Sequence, residues 1–315
     1  MDNFSLDKVD VLLIDPDPKV RAMVRSILQT SGFRKVKEGT GLKDIMYEFQ
    51  IKMPDMIISD IKLPDGNFNT FVYKLRHHDI GTNPFLPILA MAASPTADDI
   101  RAVVQAGADD LITKPLSPGQ FTQRIKALIT SRKPFMVTSA YIGPDRRKEE
   151  EKKRPGRKHV PSVEVPNVLK AKSMPGQIFN ETQLQLDIRA SINNVNLQKL
   201  GSHADQTTEL VDKIVPSLAF GSPDDATTKA LKRLLYVSED IARRMVGTKF
   251  DHVSELCQSL IEVTGRILEA GEFPSPKDVD LLKPLSTAIS HGFDESDTDA
   301  AKMAHKISES VLTKH

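Results

Sequence analysis

The chain has 315 residues, which is enough for about two domains. Its 43 Lys and Arg residues nearly balance its 42 Asp and Glu residues, so the net charge of +1 indicates neither a nucleic-acid nor a membrane partner. A single cysteine, Cys257, excludes an internal disulfide and a cysteine metal cluster. The sequence shows no signal-peptide pattern and no apolar run of the ~20 residues that a membrane helix needs. We therefore expect a cytoplasmic protein.

Strand and helix patterns alternate five times over about the first 130 residues. The predicted strands are Val9–Ile14, a short one around Val36, Met56–Ile58, Pro87–Met91 and Asp110–Thr113. Each is followed by a segment whose apolar residues recur at helical spacing. Because crossovers between parallel strands are right-handed, this alternation predicts one parallel sheet with helices on both faces, the doubly wound α/β class.

Charged side chains stand at three of the predicted strand ends. Asp15 and Asp17 follow the first strand, Asp60 ends the third and Lys114 follows the fifth. Open α/β sheets place their sites at the carboxyl ends of strands, so we expect these side chains to meet. Carboxylates are ligands for Mg²⁺, and a lysine pairs with phosphate oxygen. The alternative is that the aspartates only cap helices, which the agreement of three strand ends makes the weaker interpretation.

Three motifs carry a resemblance to a known family. They are LLIDPDPKVR, IISDIKLPDG and GADDLITKP, in this order and spacing. Over about residues 8–131, the chain resembles a bacterial response-regulator receiver domain of the CheY-like type. The resemblance implies a flavodoxin-like sheet with the strand order 2-1-3-4-5.

The resemblance also implies roles for individual residues. Asp60 would accept a phosphoryl group from a histidine kinase or a phosphotransfer protein, and Lys114, before a cis Pro115, would contact the phosphate. Mg²⁺ is the implied cofactor, with Asp15, Asp60 and the backbone carbonyl of Lys62 as its ligands. Apart from self-catalysed phosphotransfer to Asp60, no enzyme activity is expected.

The sequence departs from the family pattern in four places. The second acid of the first loop is replaced by Pro16, and Asp17 is the nearest carboxylate that could substitute for it. The usual hydroxyl residue at the end of strand four is Ala92. The aromatic switch residue of strand five is Leu111. The glycine that usually closes the loop after the phosphoacceptor aligns with Phe68.

Two hypotheses for function follow. In the first, the protein is a response regulator in a phosphorelay, in which Asp60 is phosphorylated and a conformational change reaches a downstream protein partner. Asp60 and Lys114 favour it. In the second, the domain is a phosphorylation-independent pseudo-receiver that acts as a scaffold or protein-interaction module. Pro16, Ala92 and Leu111 favour this alternative.

A change of composition separates a predicted receiver domain at 1–133 from a segment at 134–176. This segment is rich in charge and proline and lacks periodicity, so it is predicted to be a flexible linker. It contains YIGPDRR, Tyr141 to Arg147, which resembles a stretch that recurs beside bacterial signalling domains. Two interpretations stay open: Arg146 and Arg147 bind an anion such as a phosphate or a cyclic dinucleotide, or Tyr141 anchors a solvated linker.

Residues 177–315 are predicted to form an α-helical bundle, because apolar residues recur at three- and four-residue spacing in five segments. Ser222–Pro223 and Ser275–Pro276 have the residue types of an N-cap followed by a first helical position. We expect this bundle to bind a partner or to form a homo-oligomer. Acidic residues outnumber basic ones in this part, which argues against nucleic-acid binding.

The predicted bundle contains three candidate reactive side chains, two histidines and one cysteine. A helical domain beside a receiver suggests histidine phosphotransfer, with His203 or His305 as the acceptor. The sequence around His305, AHKISES, matches that family only loosely, so solvated helical histidines are the favoured interpretation. Cys257 lies on an apolar stripe and is predicted to be a small core residue.

Overall fold

The structure, a computed structural model, divides the chain into two compact units, between Val195 and Asn196. No helix in the part that it describes is long and apolar enough to cross a membrane. The described residues are 4–148, 160–176, 178–219, 223–245 and 251–293.

The N-terminal unit is built on a parallel five-stranded sheet. The strands before residue 115 are β1 (Asp10–Ile14), β2 (Lys35–Gly39), β3 (Met56–Asp60), β4 (Lys62–Leu63), β5 (Gly66–Asn67), β6 (Ile88–Ala93) and β7 (Asp110–Lys114). Strands β4 and β5 pair with each other as a short hairpin, and the other five form the sheet in the order β2-β1-β3-β6-β7. This order confirms the flavodoxin-like fold predicted from the motifs.

Helices cover both faces of this sheet. They are α1 (Pro18–Thr30), α2 (Leu42–Ile51), α3 (Phe68–Arg76), α4 (Ala97–Ala106) and α5 (Pro118–Thr130). Val11 and Leu13 of β1 pack with α1 and α5, whereas Leu12 and Ile14 pack with α2, α3 and α4. Alternate residues of a strand point to opposite faces, so a strand buried on both sides must be apolar throughout. This is why the central strands stand out in the sequence.

The segment predicted to be a flexible linker is ordered where the structure describes it. Strands β8 (Phe135–Val137), β9 (Ile142–Pro144) and β10 (Ser162–Val163) form an antiparallel sheet in the order β10-β8-β9, and helix α6 (Val168–Ser173) follows. The linker prediction is therefore wrong for 134–148 and 160–176, while 149–159 lie outside the described residues. We call the described residues 134–148 and 160–176 the extension.

The extension folds because apolar anchors lie between its charges. Phe135, Val137 and Ile142 are buried in one cluster with Phe85, which precedes β6, and the rings of Phe85 and Phe135 meet edge to face at 5.7 Å. Leu169 of α6 is fully buried in the core that α1 and α5 share. The extension therefore belongs to the N-terminal unit.

Polar contacts reinforce this attachment. The side-chain amide of Asn167 donates to the carbonyl oxygen of Leu128 at the end of α5, at 2.7 Å. Lys172 Nζ lies 2.8 Å from the carboxylate of Asp55, and both side chains are more than nine-tenths buried. Gly107, at φ 96°, ends α4 where a Cβ would lie 2.6 Å from the carbonyl oxygen of Ile142, so the extension requires a glycine there.

The two arginines of the YIGPDRR stretch form hydrogen bonds and an ion pair with other residues of the chain. Arg146 Nη2 donates to the carbonyl oxygen of Ala108 at 2.5 Å, and its Nη1 donates to the hydroxyl of Tyr141 at 3.3 Å. Arg147 pairs with both carboxylate oxygens of Asp145 at 2.9 and 2.7 Å, which holds the pKa of that carboxyl well below its usual range. This geometry favours the aromatic anchor over the anion site.

The C-terminal unit is helical in its described residues, as predicted. The helices after the extension are α7 (Glu181–Ala219), α8 (Asp225–Met245), α9 (Asp251–Ala270) and α10 (Pro276–His291), and the C-terminal unit begins within α7, at Asn196. The boundary predicted at residue 177 differs from the observed one, because Leu184, Ile188 and Val195 of α7 pack in the core of the extension. Helix α7 thus contributes residues to the cores of both units.

The predicted helix starts are partly confirmed. Ser275 is the N-cap of α10, with Pro276 in its first turn. Helix α8 instead begins at Asp225, and the carboxylate of Asp224 accepts the N–H of Thr227 at 2.7 Å as its cap. The last predicted helix and His305 lie outside the described residues. Cys257 is fully buried in the core, as predicted, and burial raises the pKa of its thiol to about 12.

His203 is buried, so the prediction of a solvated histidine is wrong. Its Nε2 lies 2.8 Å from Asp240 Oδ2, and Lys199 Nζ lies 3.2 Å from the same oxygen. Because an ionised carboxylate only accepts hydrogen bonds, His203 Nε2 must donate. Its Nδ1 is buried and has no hydrogen-bond partner among the described residues. Burial lowers the pKa of His203, despite its bond to Asp240, and the positive charges of Lys199 and Arg233 act in the same direction.

We expect the stability of the C-terminal unit to fall as the pH drops from 7.5 to 5.5. A histidine whose pKa is lower in the folded state binds more protons when unfolded, so its stabilising contribution is present above the unfolded pKa of about 6.5 and is lost below it. Hydrogen exchange of α8 at the two pH values measures this change. The change should shrink in His203→Gln, whereas greater wild-type stability at pH 5.5 would contradict a neutral His203.

Candidate phosphoryl-acceptor site

Three predicted site residues meet at the carboxyl edge of the parallel sheet. Asp15 follows β1, Asp60 ends β3 and Lys114 ends β7. The two aspartates are buried, with 1% and 7% of their surface exposed. The peptide bond between Lys114 and Pro115 is cis, as the resemblance implied. The alternation of strands and helices therefore brings together charged residues that lie 45 and 54 positions apart in the sequence.

Lys114 bridges the two carboxylates. Its Nζ donates to Asp15 Oδ2 at 2.5 Å and also to Asp60 Oδ2. Burial alone would lower the pKa of Lys114, but the hydrogen bonds and charges of the two aspartates outweigh it, so its pKa is raised. The ammonium is therefore charged at neutral pH and lies where it could pair with an anion held at Asp60.

Backbone N–H groups fix the remaining carboxylate oxygens. Asp15 Oδ1 accepts the N–H of Asp17 at 2.9 Å, and Asp60 Oδ1 accepts the N–H of Lys62 at 2.6 Å. Lys62 begins the β4–β5 hairpin, two residues beyond Asp60. The hairpin is anchored in turn by Asp65, whose carboxylate accepts the N–H of Leu42 at the start of α2, at 2.7 Å.

Asp17 occupies a different position from the other predicted ligands. It is the N-cap of α1, and its Oδ1 accepts the N–H of Lys19 at 2.8 Å. The structure therefore places the Asp17 carboxylate at the start of the helix and shows no contact of it with Asp60 or Lys114 among the described residues. The capping alternative considered for the strand-end aspartates applies to Asp17.

Four residues depart from the family pattern, and each has a defined environment in the structure. Pro16 is exposed next to Asp15. Ala92 is buried in β6 opposite Thr113 of β7. Leu111 lies partly buried in β7. Phe68, which stands in place of the loop glycine, begins α3 and is 1% exposed in the core. The site thus contains Asp15, Asp60 and Lys114 but lacks one carboxylate and one hydroxyl of the family pattern.

Two residues near the site were not predicted from the sequence. Arg21 donates to the backbone carbonyls of the loop after β1, and Asp65 caps α2 from the hairpin. The sequence does not reveal Asp65 as a helix cap, because the helix that it caps begins 23 residues earlier in the chain. Arg21 lies within the quoted motif LLIDPDPKVR, but a side chain that binds main-chain carbonyls leaves no pattern in the sequence.

The residues present fit a Mg²⁺ ion. The described residues hold no group of three or more His, Cys, Asp or Glu side chains arranged for a metal. Mg²⁺ needs fewer, because it is usually held by one or two carboxylates together with phosphate oxygen and water. Asp15 and Asp60 converge on one ammonium, which shows that their oxygens face a common place that suits a cation.

Comparison with known proteins agrees with this geometry. Residues 11–126 match the family model of the response regulator receiver domain. Together with the sheet order and the acidic edge, the match identifies these residues as a CheY-like receiver domain of the two-component systems. Receiver domains bind Mg²⁺ in their active site and interact with histidine kinases or phosphotransfer proteins. No family model matches the C-terminal helical part.

The curated relatives share the receiver part with this chain. TcrX of Mycobacterium tuberculosis is 33% identical over 121 residues, which are 38% of this chain and 50% of that protein. The phosphate regulon transcriptional regulatory protein PhoB of Escherichia coli is 29% identical over 127 residues, 40% of this chain and 54% of that protein. The chain thus spans about half the length of these relatives.

Solved structures also align with the receiver part. The chemotaxis response regulator CheY4 of Vibrio cholerae is 25% identical, with 38% of this chain and 96% of that chain covered and a TM-score of 0.33. The receiver domain of sensor histidine kinase PA1611 from Pseudomonas aeruginosa, solved with a magnesium ion in its active site cleft, is 24% identical. It covers 38% of this chain and 94% of that one, also with a TM-score of 0.33.

Proposed function

We propose that this chain is a response-regulator-like signalling protein that accepts a phosphoryl group on Asp60 from a histidine kinase or a phosphotransfer protein. The observation that carries the proposal is the bridge from Lys114 to Asp15 and Asp60 at the carboxyl edge of a receiver sheet. The bridge brings two carboxylates and one ammonium together, which supports a role for Asp60 as the nucleophile, for Asp15 as a metal ligand and for Lys114 as the phosphate contact.

The proposed reaction is a phosphoryl transfer. A carboxylate oxygen of Asp60 forms a bond to phosphorus while the phosphorus–nitrogen bond of a phosphohistidine breaks, and the released imidazole keeps the electron pair and takes a proton from water. Lys114 stays charged and pairs with a phosphoryl oxygen, exchanging its contact with Asp60 for the new anion. The raised pKa of Lys114 supports this role.

Asp15, Asp60 and the backbone carbonyl of Lys62 would hold Mg²⁺ in this proposal. When bound, the ion would offset the negative charge of the phosphoryl oxygens. The amide N–H of Lys62 already orients the Asp60 carboxylate at 2.6 Å. Because Pro16 contributes no carboxylate, the site has one anionic ligand fewer than the family pattern.

The C-terminal unit is proposed to pass the signal on by binding a downstream protein or by forming a homo-oligomer. This part of the proposal rests on its amphipathic helices. The transcriptional role named for PhoB belongs to that protein, whose match here covers 54% of its length.

The proposal is tested by treating the full chain with phosphoramidate and Mg²⁺ and measuring intact mass. We expect one phosphoryl adduct that hydroxylamine removes, as an acyl phosphate requires. Asp60→Asn should take no adduct, because the amide is not a nucleophile. Asp98→Asn is the matched control, since Asp98 is an exposed acid on α4, and it should be modified like the wild type.

A second candidate function is a phosphorylation-independent interaction module. It is favoured by the combined loss of the carboxylate at Pro16 and the hydroxyl at Ala92, which would weaken both the modification and its structural readout. A hydrogen bond to a charged group contributes about 1.5–3 kcal/mol, enough to change a two-state switch. The absence of an adduct in both wild type and Pro16→Asp, at saturating Mg²⁺, would favour this alternative.

Pro16→Asp is expected to tighten Mg²⁺ binding roughly tenfold, because it adds an anionic oxygen beside Asp15 at an exposed loop position. Isothermal calorimetry measures the change. Asp17→Ser is the control, since serine keeps the N-cap of α1 and removes the carboxylate. If Asp17→Ser loses affinity and Pro16→Asp gains none, Asp17 has taken over the missing ligand role.

A further inference from the structure

The loop that carries Asp15 is held by an arginine outside the acidic edge. Arg21 Nη1 donates to the carbonyl oxygen of Asp15 at 2.6 Å and to that of Pro16 at 3.2 Å. Its Nε lies 3.5 Å from Glu38 on β2, and 18% of its side chain is exposed. Glu38 also pairs with Arg25, at 2.9 Å, whose side chain is 49% exposed. Glu38 therefore orients Arg21 towards the loop.

Hydrogen bonds fix Asp15 at four points. Its N–H donates to the carbonyl oxygen of Gly39 on β2 at 3.2 Å, and its own carbonyl oxygen accepts from Arg21. Its Oδ1 accepts the N–H of Asp17, and its Oδ2 accepts from Lys114. A divalent cation between the carboxylates would compete with Lys114 for them, because both are positive. The contacts with Arg21, Asp17 and Gly39 would then be those that keep Asp15 in place.

We propose that Arg21 is a positioning residue for the divalent cation of this site. It fixes the main chain at Asp15 and Pro16, so that the Asp15 carboxylate is preorganised for the metal. The inference rests on the proposed function, because it concerns the same site. Pro16 makes the role more important, since one carboxylate of this loop must supply what an acidic pair supplies in the family pattern.

The expected loss of metal affinity follows from what is known of residues that hydrogen-bond to metal ligands. Removing a hydrogen-bond partner that orients a ligand typically weakens metal binding 10–100-fold. Arg21 orients the ligand through its backbone, and Mg²⁺ demands near-ideal geometry from its ligands. A misplaced Asp15 would therefore reduce affinity more than it reduces the rate of transfer at saturating metal.

A purely electrostatic role predicts the opposite sign. Arg21 is a cation, so removing it without loss of geometry would strengthen the binding of another cation. Arg25 offers a matched comparison, because it pairs with the same Glu38 on the same face of α1. Arg21→Lys keeps the charge and removes the planar fork, which isolates geometry from charge.

The test compares the full chain with Arg21→Ala, Arg21→Lys and Arg25→Ala. Mn²⁺ is the probe, since its free concentration is read directly by electron paramagnetic resonance. We expect Arg21→Ala to bind Mn²⁺ at least about tenfold more weakly, Arg21→Lys to be intermediate and Arg25→Ala to stay within about twofold of wild type. With phosphoramidate, Arg21→Ala should need more metal for half-maximal rate but keep most of the saturated rate.

Three results would overturn the positioning role: unchanged or tighter Mn²⁺ binding by Arg21→Ala, equal weakening by Arg25→Ala, or wild type that binds no Mn²⁺. If Arg21→Ala does not fold, the Mn²⁺ affinity of Arg21→Lys becomes the test. An Arg21→Lys variant that binds Mn²⁺ as tightly as the wild type would overturn the positioning role. A wild type that binds Mn²⁺ but takes no phosphate would refute the proposed function alone. The order of affinities would still decide the role of Arg21.

Discussion

Replacing Arg76 by methionine is expected to lower the free energy of unfolding of the N-terminal unit by roughly 3–5 kcal/mol. Arg76 is fully buried at the end of α3. Its guanidinium donates to the carbonyl oxygens of Gly107, Pro84 and Leu86 at 2.6–2.8 Å and to Asp109 at 2.8 Å. Methionine fills similar space but leaves these acceptors without their donor, and each buried unsatisfied group costs about 1–3 kcal/mol.

The same guanidinium links the receiver to the extension. Phe135 of β8 lies beneath both Arg76 and Arg132, each 5.2 Å from the ring centroid, and Arg132 Nε donates to Asp109 at 2.7 Å. Burial lowers the pKa of Arg76 to about 10, so it is still charged at neutral pH. Loss of Arg76 should therefore loosen β6, β7 and β8 together.

Hydrogen exchange followed by mass spectrometry measures the Arg76→Met effect locally, with peptides of α8 and α9 as the internal reference. Arg101→Met is the control, because the exposed pair of Arg101 with Asp98 is worth at most about 1 kcal/mol. A loss below about 1 kcal/mol in Arg76→Met would show that water or rearranged neighbours satisfy the freed carbonyls.

Asp240→Asn is expected to destabilise the C-terminal unit by a similar roughly 3–5 kcal/mol. The carboxylate is 2% exposed, and it is shared by Lys199, His203, Arg243 and Arg244 at 2.5–3.2 Å. Burial alone would raise the pKa of Asp240, but the hydrogen bond from His203 and the nearby cations hold it well below its usual range. Asparagine keeps the shape and removes the charge that offsets the buried Lys199.

Asp212→Asn is the matched control for Asp240→Asn. Asp212 is about half exposed on α7 and lies 3.5 Å from the exposed Lys283, so its loss should change stability by less than about 1 kcal/mol. Hydrogen exchange of α8 and α9 measures the stability of both variants. Peptides of the parallel sheet in the N-terminal unit should be unaffected. An Asp240→Asn variant as stable as the control would mean that Lys199 loses its proton or reaches water.

The receiver fold could be predicted because its signals are local and chemically distinct. The central strands β1, β3 and β6 are mostly apolar, since both of their faces are covered, and aspartates stand at the carboxyl ends of β1 and β3. Asp15, Asp60 and Lys114 were therefore recognised before any contact was known. Asp17 shows the limit of this reasoning, because an aspartate beside a strand end can equally cap the next helix.

The extension could not be predicted by the same means. Its strands have only two or three residues, too few to show a period, and they lie between lysines and prolines that are typical of linkers. Its arginines are satisfied by carbonyls of distant residues, as Arg146 is by Ala108. Sequence alone gives no sign that a charged side chain will be buried against backbone oxygen.

The boundary between the two units has no signal in the sequence, for a related reason. Helix α7 has 39 residues, and its apolar residues serve two different cores in succession, so its periodicity gives no break at Val195. His203 looked solvated because the sequence does not reveal its partner. Asp240 lies 37 residues away on another helix.

We propose that Asp60, Lys114 and a divalent cation form a site competent to hold a phosphoryl group. Fluorine-19 NMR of the full chain with beryllofluoride and Mg²⁺ tests it most directly, because beryllofluoride mimics the phosphoryl group on a carboxylate and no kinase is needed. We expect bound fluorine resonances that require Mg²⁺ and that disappear in Asp60→Asn but persist in Asp98→Asn. The absence of bound resonances in wild type at saturating Mg²⁺ would contradict the claim.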